Sequence, residues 1–244
     1  MHDHSHSSEQ SSQRIGWAFA LNVGFTIIEF AGGMLTNSTA IMADAVHDLG
    51  DSLSIGSAWI LNRLAHKEAS ASFTYGYKRL SLLGALINGV VLILGSFWVL
   101  LQAIPRLFDP VMPAVEGMLG LAILGVAVNG FAAYKLSAGT TLNERVLNWH
   151  LLEDVLGWVA VLIVSIVLMF AEIPILDALL AVGFTLFILF NVVRNTAQAV
   201  KLFLQAVPEQ GQIERVRSEL LSLKSVTSIH HEHAWSLDGE STVY

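Results

Sequence analysis

Cysteine is absent from the 244 residues, and charged residues make up only 14% of them. The first absence excludes a disulfide framework and every thiolate metal site, so any metal bound here is held by nitrogen and oxygen. The second, beside a hydrophobic share of 54%, excludes an ordinary water-soluble domain, in which about 25% of residues carry charge. A signal-peptide pattern is missing too, because the first apolar run lacks a short core followed by a small-residue cleavage site. The net charge of -7 says little about partners, since much of it lies within apolar runs and the tail.

What fills the chain instead is long apolar runs. Crossing a hydrocarbon layer of roughly 30 Å at about 1.5 Å per residue takes about 20 mostly apolar residues. Six stretches meet that length: Ile15 to Leu35, Thr39 to Leu64, Leu80 to Pro105, Val111 to Leu136, Leu142 to Met169 and Ile173 to Val193. The expected fold class is therefore an all-α membrane protein, a bundle of six transmembrane helices. Twelve of the thirteen Lys and Arg residues, all but Arg106, fall on one side if both termini are cytoplasmic, the arrangement the positive-inside rule selects. The chain divides into a His-rich cytoplasmic N-terminal tail (1–14), a transmembrane domain (15–206) and a partial cytoplasmic C-terminal domain (207–244).

Against this background residues 44–51, DAVHDLGD, stand out. A charge near the bilayer centre costs at least about 2.5 to 3.5 kcal/mol, so such residues face a bundle interior and serve a purpose. Asp44, His47, Asp48 and Asp51 share one helix face, by the i, i+3, i+4, i+7 rule. The fifth run repeats the pattern with His150 and Asp154, again four apart. If the two helices pack together, two imidazoles and two carboxylates converge at one depth. That set suits a tetrahedral divalent ion such as zinc. Two ionised aspartates and a divalent cation sum to zero charge, and protons compete with metal for the same atoms, which is the physical basis of metal/proton exchange. The competing readings are internal helix pairs and polar contacts that join helices. Asp44 and Asp48 read as protonated or backbone-bonded acids beside the site, although their spacing also allows a second pair.

The stretches LTNSTAIMADAVHDLGDSLSIG, FTYGYKRLSLLGALIN and LNERVLNWHLLEDVLGWVAVLI resemble the cation diffusion facilitator family of divalent-metal transporters, over residues 15 to 244. The resemblance implies a homodimer of six-helix subunits that expels metal from the cytoplasm in exchange for protons, with the transported ion held by His47, Asp51, His150 and Asp154. A His-Asp pair on both helices looks like the zinc-preferring branches, which also handle cadmium or cobalt; Asp48 leaves a wider metal preference open. The segment after Pro208 resembles the opening of the family's cytoplasmic domain and reads as a truncated α/β ferredoxin-like unit. In it QIERVRSELLSL is a helix with Ile213, Val216, Leu220 and Leu221 on one face, and VTSIHHEHAWSLDGESTVY is a strand, a turn at Asp238–Gly239 and a second strand. Ser81 replaces the glutamate that commonly follows the Y-G-Y-x-R motif.

The remaining polar residues carry weaker signals. Glu29 reads as a hydrogen-bonded packing residue, with a proton-accepting or cation-guiding role as the alternative. Asn22, Asn88 and Asn129 read as interhelical hydrogen-bonding residues, and Asp177 stands alone in the sixth run. Glu153 could approach the site or turn to a neighbouring helix. His66 reads as a solvated interfacial residue, and His230, His231 and His233 as solvated strand residues. His2, His4 and His6 suit a disordered, loosely metal-collecting tail.

The expected function is proton-coupled efflux of Zn2+, or of Cd2+ or Co2+, across a bacterial inner membrane, with no prosthetic group, no enzymatic activity and no nucleic acid partner. The alternatives are the same exchange tuned to cobalt, nickel, iron or manganese; an intramembrane zinc hydrolase, against which the missing H-E-x-x-H helix motif speaks; and a metal-free proton relay.

Overall fold

The computed structural model describes the backbone of residues 3–65, 70–137, 142–208, 210–239 and 241–244. Side chains are described for 17, 19–57, 60, 70–137, 148–208, 211–239 and 241–244. Seven helices and two strands follow in order among them: α1 (Asp3–Thr36), α2 (Thr39–Ala65), α3 (Leu80–Phe108), α4 (Val115–Ser137), α5 (Leu142–Phe170), α6 (Ile175–Phe203), α7 (Gln210–Ser222), β1 (Trp235–Ser236) and β2 (Thr242–Val243).

Five helical stretches are long and apolar enough to cross a bilayer: Phe19–Thr36, Leu80–Phe108, Val115–Ser137, Asn148–Phe170 and Ile175–Phe203. Helix α2 has the length, at 27 residues, but Asp44, Asp48 and Asp51 lower its apolar character. The expected count of six spans therefore stands at five by this measure.

Some ends also move. Helix α3 continues through Pro105 to Phe108, where the Pro105 carbonyl still accepts a hydrogen bond from the Asp109 N–H at 3.0 Å. Helix α6 runs on past Val193 to Phe203, because leaving the apolar run at Arg194 introduces polar residues but no helix breaker. Helix α1 reaches back to Asp3, with no Pro or Gly before Gly16 to stop it, so the expected unstructured tail has a helical backbone. The side chains of His2, His4 and His6, and His66 altogether, lie outside the described residues.

The chain divides into two compact units, Met1–Leu53 with Val91–Asn191, and Ser54–Val90 with Val192–Tyr244. In the first, α4 packs against α1 and α5. The buried face of α4 is rich in small residues, Ala122, Gly125, Ala132 and Ala133, which let larger side chains of its neighbours approach closely. Trp158 of α5 is fully buried. Its indole lies so close over Gly125 of α4 that any side chain there would collide with it. The Phe25 ring of α1 meets the same indole edge-on at 5.4 Å between centroids. Ala132, Ala133 and Leu136 of α4 close a second contact with Leu151 of α5. The outer surface is apolar: Leu94, Phe97, Ile123, Leu156, Ile163 and Phe187 are all exposed.

The turn between α1 and α2 is tightly specified. Asn37 adopts a left-handed conformation with φ of 55°, one that asparagine tolerates better than most residues. Ser38 then caps α2, its Oγ accepting from the Ile41 N–H at 3.2 Å.

In the second unit the guanidinium of Arg79 donates to the Phe203 carbonyl, the last of α6, at 2.7 Å, where a cation complements the negative end of the helix dipole. Strands β1 and β2 pair antiparallel, Trp235 opposite Val243 and Ser236 opposite Thr242. The turn falls at the anticipated Asp238–Gly239, with Gly239 at φ of 101° and the Asp238 carboxylate accepting from the Ser241 N–H at 2.6 Å. The expected longer strand through the histidines is not formed: residues 226–234 are outside any strand, and His231 has a left-handed φ of 55°. Along α7, Ile213 and Leu220 are half-buried and Val216 and Leu221 are exposed. Among the described residues, then, the ferredoxin-like expectation reduces to one helix and a minimal hairpin.

Candidate metal-ion site

Helices α2 and α5 each bring one His-Asp pair to the interior of the first unit. Within each helix the four-residue spacing stacks imidazole and carboxylate on one face: His47 Nε2 lies 3.5 Å from Asp51 Oδ2, and His150 Nε2 lies 3.7 Å from Asp154 Oδ2. Between the helices the approach is as close. His150 Nε2 is 3.1 Å from Asp51 Oδ2, and His47 Nε2 is 3.8 Å from Asp154 Oδ1. The two imidazole rings stand edge to face at 5.7 Å between centroids.

His47, Asp51 and His150 offer donor atoms that all lie within 4.8 Å of one another. Asp154 is not part of that set of three but lies on its buried side, 3.8 Å from His47 Nε2 and 3.7 Å from His150 Nε2; its side chain is 2% exposed, against 21 to 28% for the other three. Among the described residues neither Asp154 oxygen receives a hydrogen bond. Two imidazole nitrogens and two carboxylates are a donor set for a borderline divalent cation such as zinc, whose bonds to them run about 2.0 to 2.2 Å. The acceptor lone pairs left without N–H or O–H donors suit a cation arriving as cargo.

Behind these four lies a second set of acids. Glu29 of α1 and Asp48 of α2 are fully buried, and Glu29 sits beside Asp48 and the Trp158 indole. Among the described residues no hydrogen bond of good geometry reaches either carboxyl of this pair or Trp158 Nε1, although the Glu29 carboxyl lies beside both the Asp48 carboxyl and the Trp158 N–H. Of the two readings of Asp48, protonated or backbone-bonded, the backbone bond is not formed among the described residues. Asp44 is buried as well and faces α5 at Gly157; its Oδ2 also lacks a partner. Glu153 is exposed and is not part of the site. Sequence reading missed Trp158, whose apolar neighbours give no sign that its N–H would be turned to a buried acid.

The asparagines divide. Asn22 donates from α1 to Ser52 Oγ of α2 at 3.1 Å, and Asn88 of α3 donates to Ser54 Oγ of α2, both joining helices as expected. Asn129 instead donates to the Gly125 carbonyl in its own helix at 3.2 Å. Asp177 is not isolated either, as described below.

Residues 17–204 match the family model described as the cation efflux transmembrane domain. Among curated proteins, the chain is 34% identical over 240 residues to the cadmium, cobalt and zinc/H(+)-K(+) antiporter of Bacillus velezensis, covering 97% of this chain and 77% of that one. It is 31% identical over 240 residues to zinc transporter ZitB of Pectobacterium atrosepticum, covering 97% and 75%. With the metal cation efflux system protein CzcD of Cupriavidus metallidurans it shares 30% identity over 238 residues, covering 97% and 74%. The match over most of the transmembrane region, together with five helices suited to a bilayer, identifies this chain as a member of the cation efflux family: a multi-pass membrane transporter of divalent metal cations, and not an enzyme.

Proposed function

We propose that this protein exports zinc, and secondarily cadmium or cobalt, in exchange for protons, and that His47, Asp51, His150 and Asp154 hold the ion in transit. The observation that carries this reading is the convergence of two His-Asp pairs from α2 and α5 on one small volume. The relatives' names support the choice of metal: cadmium, cobalt and zinc for the Bacillus antiporter, zinc for ZitB.

In this reading α2 crosses the bilayer with the other five helices, its acids shielded inside the bundle. The metal enters from the cytoplasm and loses its water as four protein donors replace it. Two ionised aspartates neutralise its charge, so the loaded site is electrically tolerable at membrane depth. Protons arriving from the opposite side occupy the same lone pairs and release the ion, since metal binds only deprotonated ligands. Both termini are cytoplasmic, as the distribution of Lys and Arg favours, the membrane is a bacterial cell membrane, and the working form is a homodimer, as the family resemblance implies. No covalent bond is made or broken.

The test is flux into proteoliposomes carrying a zinc-sensitive dye and a pH dye, with an imposed proton gradient, for the wild type, Asp51→Ala and Asp154→Ala. Coupled zinc and proton movement that both substitutions abolish supports the site. Proton flow without metal, or zinc flux untouched by the substitutions, overturns it. Because the Bacillus relative's name includes potassium, the assay is run with and without a potassium gradient to identify the counter-ion.

A further inference from the structure

Asp177, near the start of α6, is 2% exposed, and four hydrogen bonds converge on its carboxylate. Oδ1 accepts from Ser38 Oγ at 2.5 Å and from the Ala40 N–H at 3.3 Å. Oδ2 accepts from the Thr39 N–H and from Thr39 Oγ1, both at 2.7 Å. All the donors belong to the cap and first turn of α2, where N–H groups have no partner within their own helix and the helix dipole favours an anion. Ser38 is itself the cap of that turn through Ile41. A residue of α6 thereby completes the N-terminus of the helix that carries His47 and Asp51.

We propose that Asp177 is a positioning residue for the transported metal: it fixes the height and rotation of α2, and so where His47 and Asp51 meet His150 and Asp154. The inference rests on the four-residue site proposed above. His47 lies eight residues from Thr39 on one unbroken helix, about 12 Å at the helical rise. A rigid helix carries a displacement of its first turn to that depth undiminished. The opposing helix is fixed independently, because Trp158 of α5 is wedged against Gly125 of α4. The interhelical approaches of 3.1 and 3.8 Å are on the scale of the spacing between donors around one ion, so a shift of α2 by an ångström changes how the two halves of the site meet. Other bonds near this point hold the preceding turn: Arg106 to Asn37, and the Ala114 N–H to the Thr36 carbonyl. Asp177 grips α2 itself.

The test compares metal binding, transport and folding for Asp177→Asn, Thr39→Val and Ser165→Ala in the full-length protein. Asp177→Asn keeps the shape but presents an amide N–H₂ to groups that are already donors. Thr39→Val removes one of the four bonds and leaves the rest. Ser165→Ala deletes a buried hydrogen bond of α5 to its own Val161 carbonyl and serves as a control for simple destabilisation. Asp177→Asn is expected to raise the zinc Kd and the transport KM by about 10- to 100-fold, the range for losing support behind metal ligands. It should also change the visible spectrum of bound Co2+, with kcat less affected. Thr39→Val should move the same quantities in the same direction by a smaller factor, and Ser165→Ala should lower Tm alone.

Unchanged Kd and cobalt spectrum in Asp177→Asn overturn the proposal; if that variant does not fold, unchanged values in Thr39→Val do so. If Asp51→Ala and Asp154→Ala also leave Kd unchanged, the site itself is wrong. If they abolish binding while Asp177→Asn does not alter it, only the positioning role fails.

Discussion

His150 Nε2 lies 3.1 Å from Asp51 Oδ2, so the shortest distance in the candidate site joins α5 to α2 and is closer than the approach within either helical pair. Both carboxylates approach both imidazoles, and Asp51 does so more closely than Asp154. Asp51→Asn preserves the shape but removes one negative charge and the second acceptor oxygen. Zinc affinity is expected to fall on the order of 100-fold or more, with the loss read by titration of the purified protein against zinc, because the loaded site then keeps an uncompensated positive charge at membrane depth. Unaltered affinity would show that the ion does not depend on this carboxylate.

Protons and zinc compete for the same four side chains, which sets the sign of the pH response. Lowering pH fills the lone pairs of His and Asp, so apparent Kd should increase as pH falls, by up to about tenfold per pH unit for each proton displaced. Isothermal titration in buffers of different ionisation enthalpy counts the protons released on binding. Zero release would contradict exchange at this site.

Exchanging one imidazole for a carboxylate makes the donor set harder and adds negative charge. His47→Asp should therefore weaken selection of Zn2+ and improve acceptance of Mn2+, which favours oxygen donors. Competition of Mn2+ against zinc uptake in proteoliposomes measures the shift. An unchanged preference would place the control of selectivity elsewhere, with Asp48 the next residue to exchange.

The contact between Gly125 and Trp158 predicts a packing defect of known cause. Gly125→Ala drives a methyl group into the indole and should destabilise the bundle by about 1 to 3 kcal/mol, as overpacking does. Thermal unfolding in detergent reads this as a lower Tm. Adding Trp158→Phe should recover part of the loss by freeing room. No recovery would mean that the collision is not what destabilises the variant.

The pairing of His47 with Asp51 and of His150 with Asp154 was legible in the sequence because both follow from helical periodicity, a property of each segment alone. The span positions were legible for the same reason, since the start of α2 and of α3 and most of α5 lie where apolar length places them. Less accessible were the ends beyond Val193 and Pro105, where the apolar signal stops but the helix does not. The strand proposed through His230, His231 and His233 had a plausible alternating pattern, yet a strand needs neighbouring strands to form, and among the described residues the only pairing is the two-residue one of β1 with β2.

By itself the sequence determined the helical segments, the absence of thiolate ligands and the two H-x-x-x-D motifs, because composition and the 3.6-residue period are local properties. Tertiary structure alone decided that Asp51 meets His150 across two helices, that Glu29 lies beside Asp48 and the Trp158 indole, and that Asp177 is the acceptor at the N-terminus of α2. Residues 38 and 177 stand 139 positions apart, and no periodicity in a single chain encodes which distant donor a buried carboxylate will find. That choice is made when the helices pack and bring α6 against the first turn of α2.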